Sequence, residues 1–397
     1  MSDPLDVGRL RADTAGSSHV AHLNNAGAAL PPSVVTEAVV GFLRLEERMG
    51  GYEAYARLAD DFAAVYGSIA TLVGCRPDQV ALVESATEGW SRAFQAIAFT
   101  RPLGPGSRIL VSSAEYASNV LPVLQVAARS GARLEFIPDD EHGCVDVESL
   151  VRTLDDDVAI VAITHCPSQN GLVNDVASIG AALRGHPAWY LVDACQSVGQ
   201  LPVDAPSIGA DFLSATGRKW LRGPRGTGFL YASDHALDAL EPFPIDMQSA
   251  TWTPGGYELQ PGARRYEYFE KSYAAILGLG SAIDYALDCG IETLAGRIAQ
   301  LAARARTDLS SVDGVRVHDR GVERSGIVTF TREAVAAADL VRAITALGIN
   351  VSLTSPATAR HDFEAHGLEG MVRASPHAYN SEDEIDALVR AVAESMP

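Results

Sequence analysis

The sequence predicts an α/β protein in which a large unit, built on a seven-stranded and mainly parallel sheet, precedes a smaller α+β unit. Between Val80 and Tyr231 seven short apolar runs recur, and stretches with helical apolar spacing fill most of the gaps. Strands that alternate with helices bury both faces of a parallel sheet. Beyond about Pro242 the alternation stops, and the last segment reads strand, strand, helix, strand, strand, helix.

In chain order, residues 1–20 read as a polar lead-in. A small-residue turn follows at 22–30, and Pro31 and Pro32 suit the first turn of a helix over 34–47. Gly50 and Gly51 break it before a second helix over 53–73. The seven strands are expected at 80–83, 109–112, 134–137, 158–164, 190–192, 212–215 and 227–231. Trp90, Ala93, Phe94 and Ile97 mark the buried face of one intervening helix, and Val120, Leu124, Ala127 and Ala128 that of another. Loop-rich stretches at 253–256 and 260–263 lead to a helical stretch over 271–309, interrupted near Gly290. The last strands are expected at 315–318, 327–331, 350–353 and 371–374, with helices at 335–347 and 382–394. The resulting division is a lead-in (1–20), a large unit (21–265) and linking helices with a small unit (266–397).

The 397 residues are 47% hydrophobic and 20% charged, as in ordinary soluble proteins. A net charge of −19 argues against nucleic acid or anionic membrane as the main partner. Five cysteines, an odd number without CxxC spacing, argue against a disulfide framework or a metal site and fit a reducing compartment. The N-terminus lacks the pattern of a signal peptide, and no apolar run approaches the ~18 residues of a membrane span. A cytoplasmic location is expected.

Functional groups in a parallel sheet gather where strands run into helices. Glu84-Ser-Ala-Thr-Glu88 carries an S-x-x-E box that opens a helix, which is also an anion site, because free N–H groups and the helix dipole point outward there. Asp193 ends an apolar strand; it either caps the next helix or meets a cationic partner such as a protonated ring nitrogen. Lys219 lies in a turn dense in Gly and Arg between two strands, and Lys271 is the only other lysine. An amine desolvated beside other cations loses its proton readily and suits imine chemistry. Arg373, inside a strand pattern, is either a bidentate carboxylate clamp or one half of a salt bridge. No GxGxxG follows the first strand, which disfavours a nucleotide-binding oxidoreductase.

Taken together, Ser-Ala-Thr-Gly-Arg-Lys219, the following Gly-Pro-Arg-Gly-Thr-Gly and the upstream Val-Asp-Ala-Cys-Gln196 resemble class V aminotransferases. These are the fold-type-I pyridoxal phosphate enzymes that include cysteine desulfurases, isopenicillin N epimerase-like proteins and C–S lyases. The resemblance runs from about Leu23 to Tyr379. It implies pyridoxal 5'-phosphate as cofactor, an amino acid as substrate and a homodimer with a shared active site. Lys219 matches the imine-forming lysine, Asp193 the partner of the pyridine nitrogen and Gln196 the partner of the phenolic oxygen. Ala194 is expected against one ring face. Ala86, Thr87, Thr216 and Arg218 match phosphate contacts, Arg373 matches the α-carboxylate clamp, and Asn25, Ala26 and Gly27 match a segment on the substrate side.

Four departures from the desulfurase pattern bear on function. Tyr116 stands where desulfurases use a histidine over the ring. Ser168 and Gln169 replace an asparagine near the phenolic oxygen. Glu270 takes the place of a threonine that reaches the partner's phosphate, where it would pair with Arg218 or Arg225 or face the substrate amine. Finally, residues 350–359 contain no cysteine, although desulfurases carry their persulfide cysteine in the matching loop. The run 264–271 and the stretch 50–55 resemble C–S lyases of ergothioneine and lincosamide biosynthesis. The expected reaction is cleavage of an S-substituted cysteine. Transamination, epimerisation, decarboxylating deamination and a catalytically inactive binding protein remain as alternatives.

Overall fold

A computed structural model describes residues 5–395. Seven strands form the central sheet: β1 (Val80–Val83), β2 (Arg108–Val111), β3 (Arg133–Phe136), β4 (Val158–Thr164), β5 (Trp189–Asp193), β6 (Phe212–Thr216) and β7 (Gly228–Ala232). Their spatial order is β1-β7-β6-β5-β4-β2-β3, and β7 alone runs antiparallel to its neighbours. The period of two along each strand divides the core. Leu82, Leu110, Val161, Val192 and Leu213 pack on one face, and Ala81, Ile109, Ile160, Leu191 and Phe212 on the other.

Helices α1 (Ser33–Met49) and α2 (Ala59–Val73) pack against α5 (Tyr273–Cys289), while α3 (Ala86–Thr100) and α4 (Ala117–Ser130) lie between strands in sequence. Helix α5 and α6 (Ile291–Ser310) meet at Gly290, whose φ of 80° ends the first helix and lets the axis turn by 82°. Among the described residues no single helix is long and apolar enough to cross a membrane.

The small unit is an antiparallel sheet of β8 (Val315–Val317), β9 (Val328–Arg332), β10 (Ser352–Thr354) and β11 (Met371–Ala374), in the order β8-β9-β11-β10. Helices α7 (Ala337–Ala346) and α8 (Glu382–Glu394) cover it through Leu340, Ile344 and Leu388.

Several elements differ from expectation for local reasons. Residues 5–20 are more than a polar lead-in: Val7–Ala12 is helical and Leu10 is buried, although Met1 to Pro4 lie outside the described residues. Ala21–His22 pairs in parallel with Ile349–Asn350, and Leu23 joins the small unit's core, so the start of the 21–265 segment belongs with the small unit. The helix expected over 53–73 breaks at Leu58 into Gly51–Arg57 and α2. The strand expected at 350–353 splits between this N-terminal pairing and β10. The stretch around 253–256 is the turn of a hairpin, Ala250–Thr253 with Gly256–Leu259. In α4 the buried side chains are Asn119 and Val123, whereas Leu121 and Leu124 face outward at 62% and 47% exposure.

The β1 edge of the sheet is closed by a carboxylate. Glu267 is fully buried, accepts from the Leu82 N–H at 2.9 Å and from the Tyr66 hydroxyl at 2.8 Å, and pairs with the Lys271 ammonium. This occupies one of the chain's two lysines in structure. Glu267→Ala leaves a half-buried ammonium, a buried N–H and a buried hydroxyl without this partner. It is expected to cost about 3–5 kcal/mol in urea unfolding, and a loss below about 1 kcal/mol would contradict this role.

Candidate active site

The parallel register brings strand ends together. Thr164 of β4 lies opposite Asp193 of β5, and Asp193 opposite Ser214 of β6. Beyond these ends lies a cavity. Its wall comprises Ala86 and Thr87 at the start of α3, Tyr116 at the start of α4, Ser168, and the Thr216–Arg218–Lys219 corner. Its floor is Asp193, Cys195 and Gln196.

Lys219 is held by a loop that closes on itself. The Gly217 N–H donates to the Thr227 carbonyl, Gly223 N–H to the Gly217 carbonyl at 2.8 Å, and Arg222 N–H to the Lys219 carbonyl at 2.9 Å. A Cβ on Gly217 would lie 2.3 Å from the Thr227 hydroxyl, so only glycine lets the two strands approach this closely. The Lys219 amine is buried and its described partner is the Cys195 thiol at 3.2 Å. Burial lowers its pKa, with the Arg218 charge adding to the effect and Cys195 and Asp193 opposing it.

Asp193 is fixed at both oxygens. Oδ1 accepts from the Cys195 N–H and Oδ2 from the Asn119 side-chain amide, each at 2.8 Å. Cys195, two residues on, points to the same side and lines the cavity, whereas Ala194 is wholly buried in the core beneath. Of these two residues it is Cys195, and not Ala194 as expected, that reaches the cavity; the alternation of side chains in an extended segment accounts for it. Burial raises the pKa of the Cys195 thiol, although Lys219 works against this. Gln196 lines the cavity with its amide held by the Ala26 carbonyl at 3.1 Å and the Trp220 indole N–H at 2.9 Å.

At the start of α3 the Ser85 hydroxyl accepts from the Glu88 N–H at 3.1 Å. Glu88 itself reaches back to the Glu84 N–H, at 2.6 Å, so the capping box is shifted by one residue at its return bond. The first-turn N–H groups of Ala86 and Thr87 have no helical acceptor and adjoin the cavity. The Thr216 hydroxyl donates to the Thr227 carbonyl at 3.1 Å, and Arg218 donates to the Gly27 carbonyl.

Arg373 on β11 is buried at the edge of this site. It donates to the Ser168 carbonyl at 3.1 Å and to Asn24 Oδ1 at 3.3 Å, and its Nε has no partner among the described residues. Burial pulls its pKa down to about 10. Asn24, absent from the expected set, is thus the residue of the 24–27 turn whose side chain reaches this arginine. Asn25 is fully buried and spent on the turn itself: its amide donates to the Ser375 carbonyl at 2.8 Å and its Oδ1 accepts from the Tyr379 hydroxyl at 2.6 Å. Asn25 is therefore not a substrate contact. Ala26 and Gly27 contribute backbone, through their carbonyls to Gln196 and Arg218. Glu270 is exposed and borders other cavities, beside Lys271 and Ser272, so the chain does not bring it into its own site.

These residues fit pyridoxal 5'-phosphate. A helix N-terminus suits the phosphate, a fixed carboxylate suits the ring nitrogen, and a buried amine with a lowered pKa suits the aldehyde carbon. The Nε of Arg373, buried beside them without a hydrogen-bond partner among the described residues, leaves this guanidinium unpaired by any carboxylate.

The comparisons agree. The family model for aminotransferase class-V matches residues 21–388, so the chain belongs to that family. The chain is thereby a pyridoxal phosphate-dependent enzyme of fold type I. A probable cysteine desulfurase of Halobacterium salinarum is 28% identical over 99% of this chain and 97% of its own length. The structure of the cysteine desulfurase CsdA from Escherichia coli superposes with a TM-score of 0.90 at 25% identity, covering 98% of each chain. A cystine C–S lyase, C-DES, shares the fold with a TM-score of 0.86 at 23% identity, over 97% of this chain and 100% of that one.

The lowered pKa of Lys219 has a consequence for the protein without cofactor. Below its ordinary pKa of 10.5 the unfolded chain binds more protons at this position than the folded one, so the Lys219 contribution to stability rises with pH. Lys219→Met apoprotein is expected to melt above wild type at pH 7, with the gap closing toward pH 10.5. Calorimetry that finds equal melting temperatures throughout would contradict the burial argument.

Proposed function

We propose that the protein is a pyridoxal phosphate-dependent C–S β-lyase that converts an S-substituted cysteine and water into a thiol, pyruvate and ammonia. The observation that carries this reading is the loop at 350–359. It resembles the loop that bears the persulfide cysteine in desulfurases, and it contains none. Its backbone docks beside Tyr116, with the Thr358 carbonyl accepting from the Ala117 N–H at 2.8 Å. No cysteine follows Cys289, so no thiol from this segment is available to take up sulfur. The sulfur then departs with its substituent.

When bound, pyridoxal phosphate withdraws electrons from the substrate's α-carbon and so acidifies its proton. In this reading Arg373 binds the α-carboxylate, with its guanidinium steered by Ser168 and Asn24. The Lys219 amine, favoured in its neutral form by burial, takes the α-proton. Asp193, oriented by the two donors on its oxygens, would face the ring nitrogen and keep a proton there. Tyr116 and Cys195 would bound the ring, and Ala86, Thr87, Thr216 and Arg218 would hold the phosphate. Gln196 and Ser168 flank the phenolic oxygen.

We also infer a cytoplasmic homodimer working in small-molecule thiol or antibiotic biosynthesis. Five free cysteines fit a reducing compartment. Exposed Trp252 and Met247, at 93% and 74%, are unusual on a monomer and fit a covered surface. In such a dimer the exposed Glu270 would serve the partner's site.

A second reading rests on Tyr116. A tyrosine is a weak base near neutral pH, and its presence where desulfurases have histidine favours another outcome at the α-carbon: reprotonation at a different atom or face, or cleavage of the bond to the carboxylate. Transamination, epimerisation or decarboxylating deamination would follow.

Adding an S-alkyl cysteine to the loaded protein separates these readings. Pyruvate is expected to accumulate as the visible cofactor band shifts, with both changes absent in Lys219→Ala. A shifted band without pyruvate favours the second reading, and a protein that never takes up colour is a binding protein on this fold. Arg373→Gln is expected to raise KM about 10- to 100-fold while leaving cofactor content unchanged, the worth of a charge-assisted bidentate contact. An unchanged KM would remove Arg373 from the carboxylate role.

A further inference from the structure

Asn119 lies in the first turn of α4, a helix whose other side faces solvent, yet it is 1% exposed. Its side-chain amide donates to two carboxylates at once, Asp193 Oδ2 and Glu115 Oε1, each at 2.8 Å. Two acceptor-only groups on either side require the NH2 end of the amide between them, which fixes its orientation.

Glu115 is itself fully enclosed and held by further donors. Its Oε2 accepts from the Ser112 hydroxyl at 2.6 Å and the Thr164 N–H at 3.1 Å, and its Oε1 from the Thr164 hydroxyl and the Tyr116 N–H. Burial pushes its pKa up to about 6, and the Asp193 charge contributes in the same direction. A carboxylate placed this deep, without a cation among its described hydrogen-bond partners, costs stability unless those donors hold it. Its bond to Asn119 leads directly to the floor of the cavity.

We propose that Asn119, braced by Glu115, is a positioning residue for the cofactor: it locks the Asp193 carboxylate in the rotamer presented to the pyridine nitrogen of pyridoxal phosphate. The Cys195 N–H holds the other oxygen. With both oxygens tied, the carboxylate is held from rotating toward the Lys219 amine. Asn119 has no described contact with the cavity itself and acts through Asp193.

The proposal rests on the cofactor reading of the site and not on the C–S lyase reaction, so its test uses binding. Apoprotein is titrated with pyridoxal 5'-phosphate, following quenching of tryptophan fluorescence, for wild type, Asn119→Leu, Asp193→Ala and the double variant. Asn119→Leu is expected to raise Kd about tenfold in the wild-type background, the effect of one charge-assisted hydrogen bond of ~1.4 kcal/mol. In the Asp193→Ala background it is expected to change Kd less than about twofold, because the group it positions is gone. Ring-15N-labelled cofactor is expected to show a protonated nitrogen in wild type and a partly deprotonated one in Asn119→Leu.

Equal effects of Asn119→Leu in both backgrounds, or none in either, would overturn the proposal, as would a nitrogen resonance identical to wild type. Asn119→Ser, too short to bridge the carboxylates, is read in the same way and replaces the leucine variant if thermal melts show that one unfolded. Wild-type apoprotein that does not bind the cofactor would sink the site assignment itself. Absence of pyruvate formation, by contrast, bears only on the reaction.

Discussion

Everything in the large unit converges on keeping one amine out of water. Lys219 sits at the turn where β6 hands over to β7, the one strand of the sheet that runs backward. A parallel connection there would need a helical crossover; the antiparallel return allows a short loop, closed by backbone hydrogen bonds and glycines. That loop delivers the amine to the strand ends, where Asp193 and the start of α3 already lie. The second lysine is bound elsewhere, to Glu267. The chemistry of the site thus follows from strand direction as much as from residue type.

Much of this was legible in the sequence. Apolar runs with a period of two or of helical type mark all seven strands, because burial on both faces leaves few polar residues inside them. Asp193, Lys219, Thr87 and Arg373 stood out because charged or capping residues at apolar strand ends are conspicuous. What stayed hidden depends on direction and partner choice. Ala194 and Cys195 differ only in which side of an extended segment they occupy. Asn24 and Asn25 are adjacent asparagines, and only the long-range contact to Ser375 and Tyr379 decides which is spent on the turn. Asn119 was obscured because α4 buries it while exposing Leu121 and Leu124, the reverse of the usual amphipathic pattern. The paired strand at Ala21–His22 has only two residues, too few for any periodic signal.

Global and local charge also diverge. The chain carries −19 overall, which would repel an anionic cofactor at a distance. At short range the Arg218 guanidinium lines the cavity and the buried Arg373 lies at its edge, against Ser168, where salt screens charge poorly. The charge on Asp193 is correspondingly enclosed and tied by donors. Recognition is thus written into a few buried groups while the acidic exterior keeps the protein dispersed.

The short N-terminal pairing also makes residues 21–27 a link between the two units. Ala21–His22 is stitched to Ile349–Asn350 of the small unit, and Ser375 N–H donates to the Leu23 carbonyl at 2.7 Å. Four residues later the same backbone receives Gln196 at Ala26 and Arg218 at Gly27, on the large unit. A rigid tilt of the small unit therefore cannot occur without pulling on the 24–27 turn and, through it, on two residues of the cavity. One short stretch of backbone thus ties the two units together and carries the partners of two cavity residues.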